Sequence, residues 1–332
     1  MSSGHQSGNS PSRRTVLALA AASAATATTG AAQAQPVTDI PIIDAHIHLF
    51  DGRRPLGAGY MGSQAYRAVS QTSLPQMYAP LARPTGIVGA IVVESSAWID
   101  DNAWYLDQCR ADPIMVGVCG RLDPGSADFG RYLTRFHADP FFRAIRASRY
   151  FDEAAGKVTL KPDNVANLKL LAQADLALDT ANPSMGLMTA NVHLADAIPD
   201  LRIIMDHLPA FNPTPENRAA YEAIVREMAA RPNIFVKLSE VYHPRADGVV
   251  VRDYAALRDR LEFLFTVFGE DRVIFGSDYP NSYGVATIPE QVDVMKRFFA
   301  SKTRTAAEKY FWKNSARVYK WIKRTDDQPT LS

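Results

Sequence analysis

Ile40-Pro41-Ile42-Ile43-Asp44-Ala45-His46-Ile47-His48 decides how this chain reads. It is a short apolar run with β-branched residues that ends in two imidazoles, the pattern of a buried strand. Alternate side chains of a strand share a face, so His46 and His48 point the same way at its end. By itself an H-x-H pair is also what two packed or solvated histidines give. Seven further runs of the same kind follow: 87–94, 114–119, 143–149, 176–180, 201–207, 234–239 and 273–278. The stretches between them look helical. Trp104, Leu106 and Cys109 fall near helical spacing in Asn102–Ala111. Thr214-Pro215 reads as an N-cap with proline at N1, opening a helix to about Ala230. Thr305-Ala306-Ala307-Glu308 fits a capping box opening the last helix. Eight strand–helix units in a chain of this length match a (β/α)8 TIM barrel, an α/β fold in one domain. A doubly wound open sheet is the alternative, but no glycine-rich dinucleotide turn follows the first strand.

In such a barrel the eighth strand closes against the first. Met205-Asp206-His207 ends the sixth run and Gly276-Ser277-Asp278-Tyr279-Pro280 ends the eighth. Asp278 would then stand beside His46 and His48, with His207 approaching from the sixth strand, at the end where barrel sites lie. One connection breaks the rhythm. Residues 49–86 carry Gly52, Gly57, Gly59, Gly62, Arg53 and Arg54, and so long a connection on that face reads as a lid.

The rest of the composition sets limits. The chain has 332 residues, 47% of them apolar and 21% charged, the balance of a globular protein rather than a disordered one or a coiled coil. A formal net charge of +1 argues against a nucleic-acid partner. Residues 15–34 are uncharged and half alanine, follow Arg13-Arg14, and end in Ala32-Gln33-Ala34. Residues 1–35 therefore read as a twin-arginine-type export signal ahead of a barrel domain over 36–332, and the expected location is the periplasm, without stable membrane insertion after cleavage. A retained anchor is the bland alternative, though alanine and threonine make it weakly hydrophobic. Cys109 and Cys119 read as buried free thiols rather than a disulfide.

With these pieces in place, the chain resembles the amidohydrolase superfamily, in its amidohydrolase-related (amidohydrolase 2) branch of sugar-acid lactonases and 2-pyrone-4,6-dicarboxylate lactonase. The matching residues are 43–48, Ile204-Met205-Asp206-His207, Val236-Lys237-Leu238-Ser239, 275–280, and Tyr310-Phe311-Trp312-Lys313-Asn314-Ser315-Ala316 as a closing helix. The resemblance spans residues 40–322 and implies a hydrolase that opens a lactone of a small carboxylated or polyhydroxylated acid. Asp278 would accept a proton from the attacking water, and His46, His48 and His207 would stabilise the oxyanion. Arg146 would anchor a substrate carboxylate, with Arg149, His243 and Tyr279 as further substrate-binding residues. One departure stands out. Metal-dependent relatives take another ligand from the fourth or fifth strand, often a histidine or a modified lysine, and here 143–149 holds no lysine and 176–182 no histidine. His46, His48 and Asp278 could still hold zinc, but Arg146 at the mouth would repel a dication, so the reading favours no cofactor, with zinc as the alternative.

Other residues carry less. His137 and His193 fall in helical stretches and read as surface or packing residues. Glu94 ends the second run, where pairing and lining the mouth are both open. Tyr60 and Trp98 are candidate pocket walls. Three other functions remain: a zinc-dependent amidohydrolase or non-oxidative decarboxylase, an exported protein that binds small acids without turnover, and, disfavoured by the missing dinucleotide turn, an oxidoreductase. The expected partner is a small-molecule substrate. No feature writes an oligomeric state, and a homo-oligomer is compatible with the sequence.

Overall fold

A computed structural model describes Met1 and residues 37–331. The leader expected over residues 1–35 lies outside the described residues apart from Met1. No helix among the described residues is long and apolar enough to cross a membrane.

Eight strands form one parallel sheet in chain order: β1 (Ile42–Ile47), β2 (Ile87–Val93), β3 (Met115–Gly120), β4 (Phe142–Arg146), β5 (Ala177–Thr180), β6 (Ile203–Met205), β7 (Ile234–Lys237) and β8 (Val273–Ile274). Each lies within or one residue beyond a run read from sequence. The sheet closes on itself. Ala45 N donates to Phe275 O at 3.1 Å, Asp278 N to His46 O at 2.9 Å and His48 N to Tyr279 O at 2.7 Å, and Ile47 bridges Tyr279. Closure buries both faces of every strand, which is why the runs are almost wholly apolar: all six residues of β1 are buried. A polar side chain inside such a run has no water to turn to, and it must find a partner in the barrel.

Several local expectations need correcting. The helix expected from Thr214 begins at Arg218, with Asn217 at the cap, because 215–217 form a turn first. The expected box at Thr305 is displaced: the helix starts at Arg304, Thr303 caps it by accepting from Ala306 N, and Glu308 pairs with Arg304 instead. The full capping box belongs to Thr287 and Glu290 at the helix Ile288–Phe299. A hairpin, Phe151–Ala154 with Lys157–Leu160, stands between β4 and the helix expected in that connection, Pro162–Gln173. Its turn residues Ala155 and Gly156 both have positive φ (51° and 74°), the backbone a two-residue hairpin needs to match strand twist.

The closing segment widens at Lys309–Lys313 into a π-turn before the helix Asn314–Tyr319. There Tyr310 O accepts from Phe275 N (3.2 Å) and Asn314 Nδ2 donates to Val273 O (2.8 Å). The C-terminal segment thus holds β8, which is only two residues long, in place against β1. The segment expected to form a lid is not structureless: it contains the pair Phe50–Asp51 with Thr72–Ser73 and the helices Gln64–Arg67 and Pro75–Ala82. It lends Gly59 and Tyr60 to the wall of the main cavity.

Candidate active site

The strand ends converge as the sequence led one to expect. His48 Nε2, His46 Nε2 and His207 Nε2 lie 3.1, 3.4 and 3.7 Å from one atom, Asp278 Oδ1. All four residues are buried, and His48, His207 and Asp278 border a cavity of about 1000 Å³. Its other walls carry mostly polar groups from the loops after the strands. Four of the seven non-glycine residues with positive φ among the described residues line this cavity: Asn182 (62°), His207 (53°), Glu240 (51°) and Asp278 (55°). Each such backbone costs on the order of 1–3 kcal/mol unless its surroundings hold it, and such strain gathers at functional sites.

Each group is aimed by a second contact. His48 Nδ1 faces Val93 O at 3.0 Å; a carbonyl only accepts, so Nδ1 carries the hydrogen and Nε2 is left bare toward Asp278. His207 Nδ1 meets Ser239 Oγ at 2.8 Å. Asn281 Nδ2 donates to Asp278 Oδ2 at 2.9 Å. Asp44, which opens the D-A-H-I-H motif, takes no part in the cavity. Its Oδ1 accepts from the backbone N–H of Ser277 (2.9 Å) and His46 (3.1 Å) and its Oδ2 from Tyr78 OH (2.8 Å), stitching β1 to the turn that carries Asp278. Gly276 gives room beside it: a Cβ there would lie 2.9 Å from the Cβ of His46. Gly276→Ala should therefore push His46 off its position, cost about 1–3 kcal/mol and lower kcat; unfolding and turnover measurements that both match the wild type would exclude this.

Beneath His46 lies a buried ionic cluster that sequence reading missed. Lys237 Nζ sits 2.7 Å from Asp179 Oδ2, 2.8 Å from Asp206 Oδ1 and 3.1 Å from His46 Nδ1, and Lys237, Asp179 and Asp206 are all fully buried. Tyr319 OH donates to Asp179 at 2.8 Å. The signal was present: a lysine in Val236-Lys237-Leu238 and an aspartate in Leu178-Asp179-Thr180 interrupt apolar strands, and buried charges come paired. Burial works against the charge on Lys237, and the two carboxylates outweigh it, so the amine stays charged. Burial pushes Asp179 up to about 6. For Asp206 burial pulls upward too, but Lys237 and then His46 hold it below the usual carboxylate range. Burial, then the Lys237 charge, hold His46 well below its usual value, so the ring is neutral. An ammonium only donates, so it favours a bare Nδ1 and an N–H at Nε2 of His46.

One predicted substrate residue needs correction, and a second lines the cavity already paired. Tyr279 does not border the cavity. It is buried with its hydroxyl 3.2 Å from that of Tyr66 and its ring against Tyr66 and Tyr78, because Asp278 turns inward and its neighbour faces the other way. Arg146 borders the cavity but is engaged: Nε donates to Glu94 Oε1 (2.9 Å) and Nη2 to Glu94 O (2.6 Å). Glu94 thus takes the pairing role, and the repulsion expected to keep a dication away is largely neutralised. Arg149 is exposed on the cavity wall without a partner among the described residues. His243 borders the cavity with Nδ1 3.1 Å from Glu240 Oε2. Tyr60 lines the cavity and donates to Asn281 Oδ1, whereas Trp98 is exposed and outside it. His137 and His193 are exposed on helices, and Cys109 and Cys119 are buried and free.

The donor set fits a divalent ion. His46, His48 and Asp278 offer ligand atoms within 4.8 Å of one another. The bare Nε2 of His48 and the carboxylate of Asp278 are two acceptors 3.1 Å apart, a juxtaposition that a cation between them relieves. His46 joins once its hydrogen moves to Nδ1 and turns toward Asp206 Oδ2, 3.6 Å away.

Comparison with known proteins agrees with this geometry. An L-fucono-1,5-lactonase from Burkholderia ambifaria is 29% identical over 247 residues, covering 72% of this chain and 80% of that protein. A zinc-bound amidohydrolase from Burkholderia multivorans superposes with a TM-score of 0.73 at 21% identity, over 85% of this chain and all of the other. A proposed 2-pyrone-4,6-dicarboxylic acid hydrolase from Pseudomonas putida gives 0.64 at 16% identity, over 85% and 98% of the two chains. At these identities the two structures speak for the fold. The family model for Amidohydrolase matches residues 43–321, from the strand carrying the two histidines to the end of the closing helix, and the chain belongs to that family.

Proposed function

We propose that the protein is a hydrolase that opens a lactone of a small carboxylated or polyhydroxylated acid. The observation that carries this reading is the convergence of three imidazoles on one oxygen of Asp278 at the floor of a roomy polar cavity. The fucono-lactonase relative supports the bond type.

Opening a cyclic ester needs an acceptor for the proton of the attacking water and donors for the carbonyl oxygen as it becomes anionic. Burial works to raise Asp278, but the imidazoles around it, His207 foremost, outweigh it, so the carboxylate is held well below its usual range. It stays ionised and ready to accept. The same lowering weakens it as a base, so its effect rests on holding the water in line rather than on proton affinity. Neutral His46, with its N–H at Nε2, can donate to the forming oxyanion, and His207 stands beside it with ring centroids 4.3 Å apart. A divalent ion, when bound by His46, His48 and Asp278, would polarise the carbonyl and acidify water.

Arg149 is a cation of the wall with no ion-pair partner among the described residues, and the stronger candidate for a substrate carboxylate than Arg146. Arg149→Ala should raise KM for a carboxylated lactone about tenfold and leave a neutral sugar lactone nearly unaffected. Equal effects on both would remove Arg149 from that role. The reading as a whole is tested by a hydrolysis screen over carboxylated and sugar lactones with a metal count on the purified protein; no turnover of any lactone would sink it. Arg13-Arg14 and the alanine-rich stretch support export to the periplasm, to be checked by sequencing the mature N-terminus. The cavity's size supports a small-molecule partner, and the near-zero net charge a protein that does not bind nucleic acid.

A further inference from the structure

Ring opening has two ends. One proton leaves the water that attacks, and one must reach the ring oxygen that departs. In an aliphatic lactone that oxygen leaves as an alkoxide, whose basicity is near that of hydroxide; the pKa of its alcohol is comparable to water's, about 15.7. Expulsion without a proton is slow, so a donor at the departing atom is worth on the order of 10²–10⁴-fold.

The loop after β7 holds a pair suited to this. Glu240 follows β7 with a left-handed backbone (φ 51°), a conformation a glutamate adopts only when held there. His243 N donates to Glu240 O at 2.9 Å, closing a tight turn, and the side chains then meet, His243 Nδ1 to Glu240 Oε2 at 3.1 Å. A carboxylate accepts only, so Nδ1 carries a hydrogen and the orientation of the ring is set. Nε2 is the remaining ring atom, on a side chain 44% exposed at the wall of the cavity that Asp278 also borders. A base oriented by a third group is the general arrangement of proton-transfer sites.

We propose that His243, oriented by Glu240, gives its Nε2 proton to the departing ring oxygen. This rests on the lactone-opening reading above. The water oxygen bonds to the carbonyl carbon while its proton goes to Asp278. The ring C–O bond then breaks, and the electron pair on the ring oxygen takes the proton of His243. The hydroxy acid is released, and the proton on Asp278 returns to His243 directly or through water, which restores both groups. The charges around His243 favour the protonated ring: its pKa is raised first by the hydrogen bond to Glu240 and also by the Asp278 charge, against burial and Arg260.

The alternative is that Asp278 both takes and returns the proton, leaving His243 a wall residue. Leaving-group dependence separates the two. Dihydrocoumarin expels a phenol, pKa about 10, which needs little help; δ-valerolactone expels an alkoxide. His243→Asn should lower kcat/KM about 100-fold on δ-valerolactone, with a loss at least tenfold smaller on dihydrocoumarin. Glu240→Gln, acting through the orientation of His243, should show the same selectivity with a smaller loss. Equal losses on the two lactones, or none, would overturn the assignment, since a structural role moves both rates alike. A wild-type protein that opens neither lactone, nor any in the screen, would remove the hydrolase reading itself, a different failure.

Discussion

Asp278→Asn is expected to lower kcat by about 10²–10⁴-fold while the protein remains folded. The amide keeps the shape of the side chain and removes the charge on which three imidazoles converge. It also replaces one acceptor by a donor, so the attacking water loses the group that receives its proton. The backbone tolerates the change well. Asp278 is left-handed (φ 55°), and asparagine is among the residues that adopt this conformation most readily. Thermal unfolding should therefore move little while turnover collapses. Near-normal kcat in a folded Asp278→Asn protein would remove Asp278 as the proton acceptor.

The second large effect is on stability. Lys237→Met should cost about 3–5 kcal/mol, the usual penalty for removing one partner of a buried ionic group. Lys237 is the shared counter-charge of Asp179 and Asp206. Asp206 has no well-formed hydrogen bond from any described residue, so without the ammonium its carboxylate is stranded. Both acids would then respond by binding protons. For a carboxyl whose folded pKa lies above its unfolded value of 3.8, folding takes up protons, and the associated stability is lost as pH rises through the folded pKa. The deficit of the variant should thus widen from pH 5 to pH 8 in urea unfolding. Adding Asp179→Asn and Asp206→Asn should recover part of it, since the stranded charges are then gone. A deficit below about 1 kcal/mol, or one flat with pH, would show that the cluster does not hold the barrel together. The variant should also lose turnover beyond its loss of stability, because His46 would no longer be held with its N–H toward the cavity.

The legible part of this protein follows from periodicity. Apolar runs with β-branched residues between helical stretches marked all eight strands, because a closed parallel barrel buries both faces of each and leaves no alternation to blur the pattern. Charged or imidazole groups at the ends of those runs marked His46, His48, His207 and Asp278. Less legible was anything set by packing between distant elements. Helix caps slipped by three residues at Thr214 and by two at Thr305: Asn217 stands at the first start without a side-chain cap hydrogen bond, Thr303 caps the second, and only the docked helix selects among such neighbours. The hairpin after β4 went unread, because its turn depends on two positive φ angles rather than on a pattern of apolar residues.

From the sequence alone came the barrel, the family and the strand ends that carry the imidazoles and the acid, since these are written in local order and in the alternation of a strand. Tertiary structure alone decided which charges meet. It set Lys237 between two carboxylates under His46, tied Arg146 to Glu94, left Arg149 open and turned Tyr279 away from the cavity. These pairings join residues tens to hundreds of positions apart. Their energies depend on burial and on a few tenths of an ångström, quantities that exist only once the cylinder has closed.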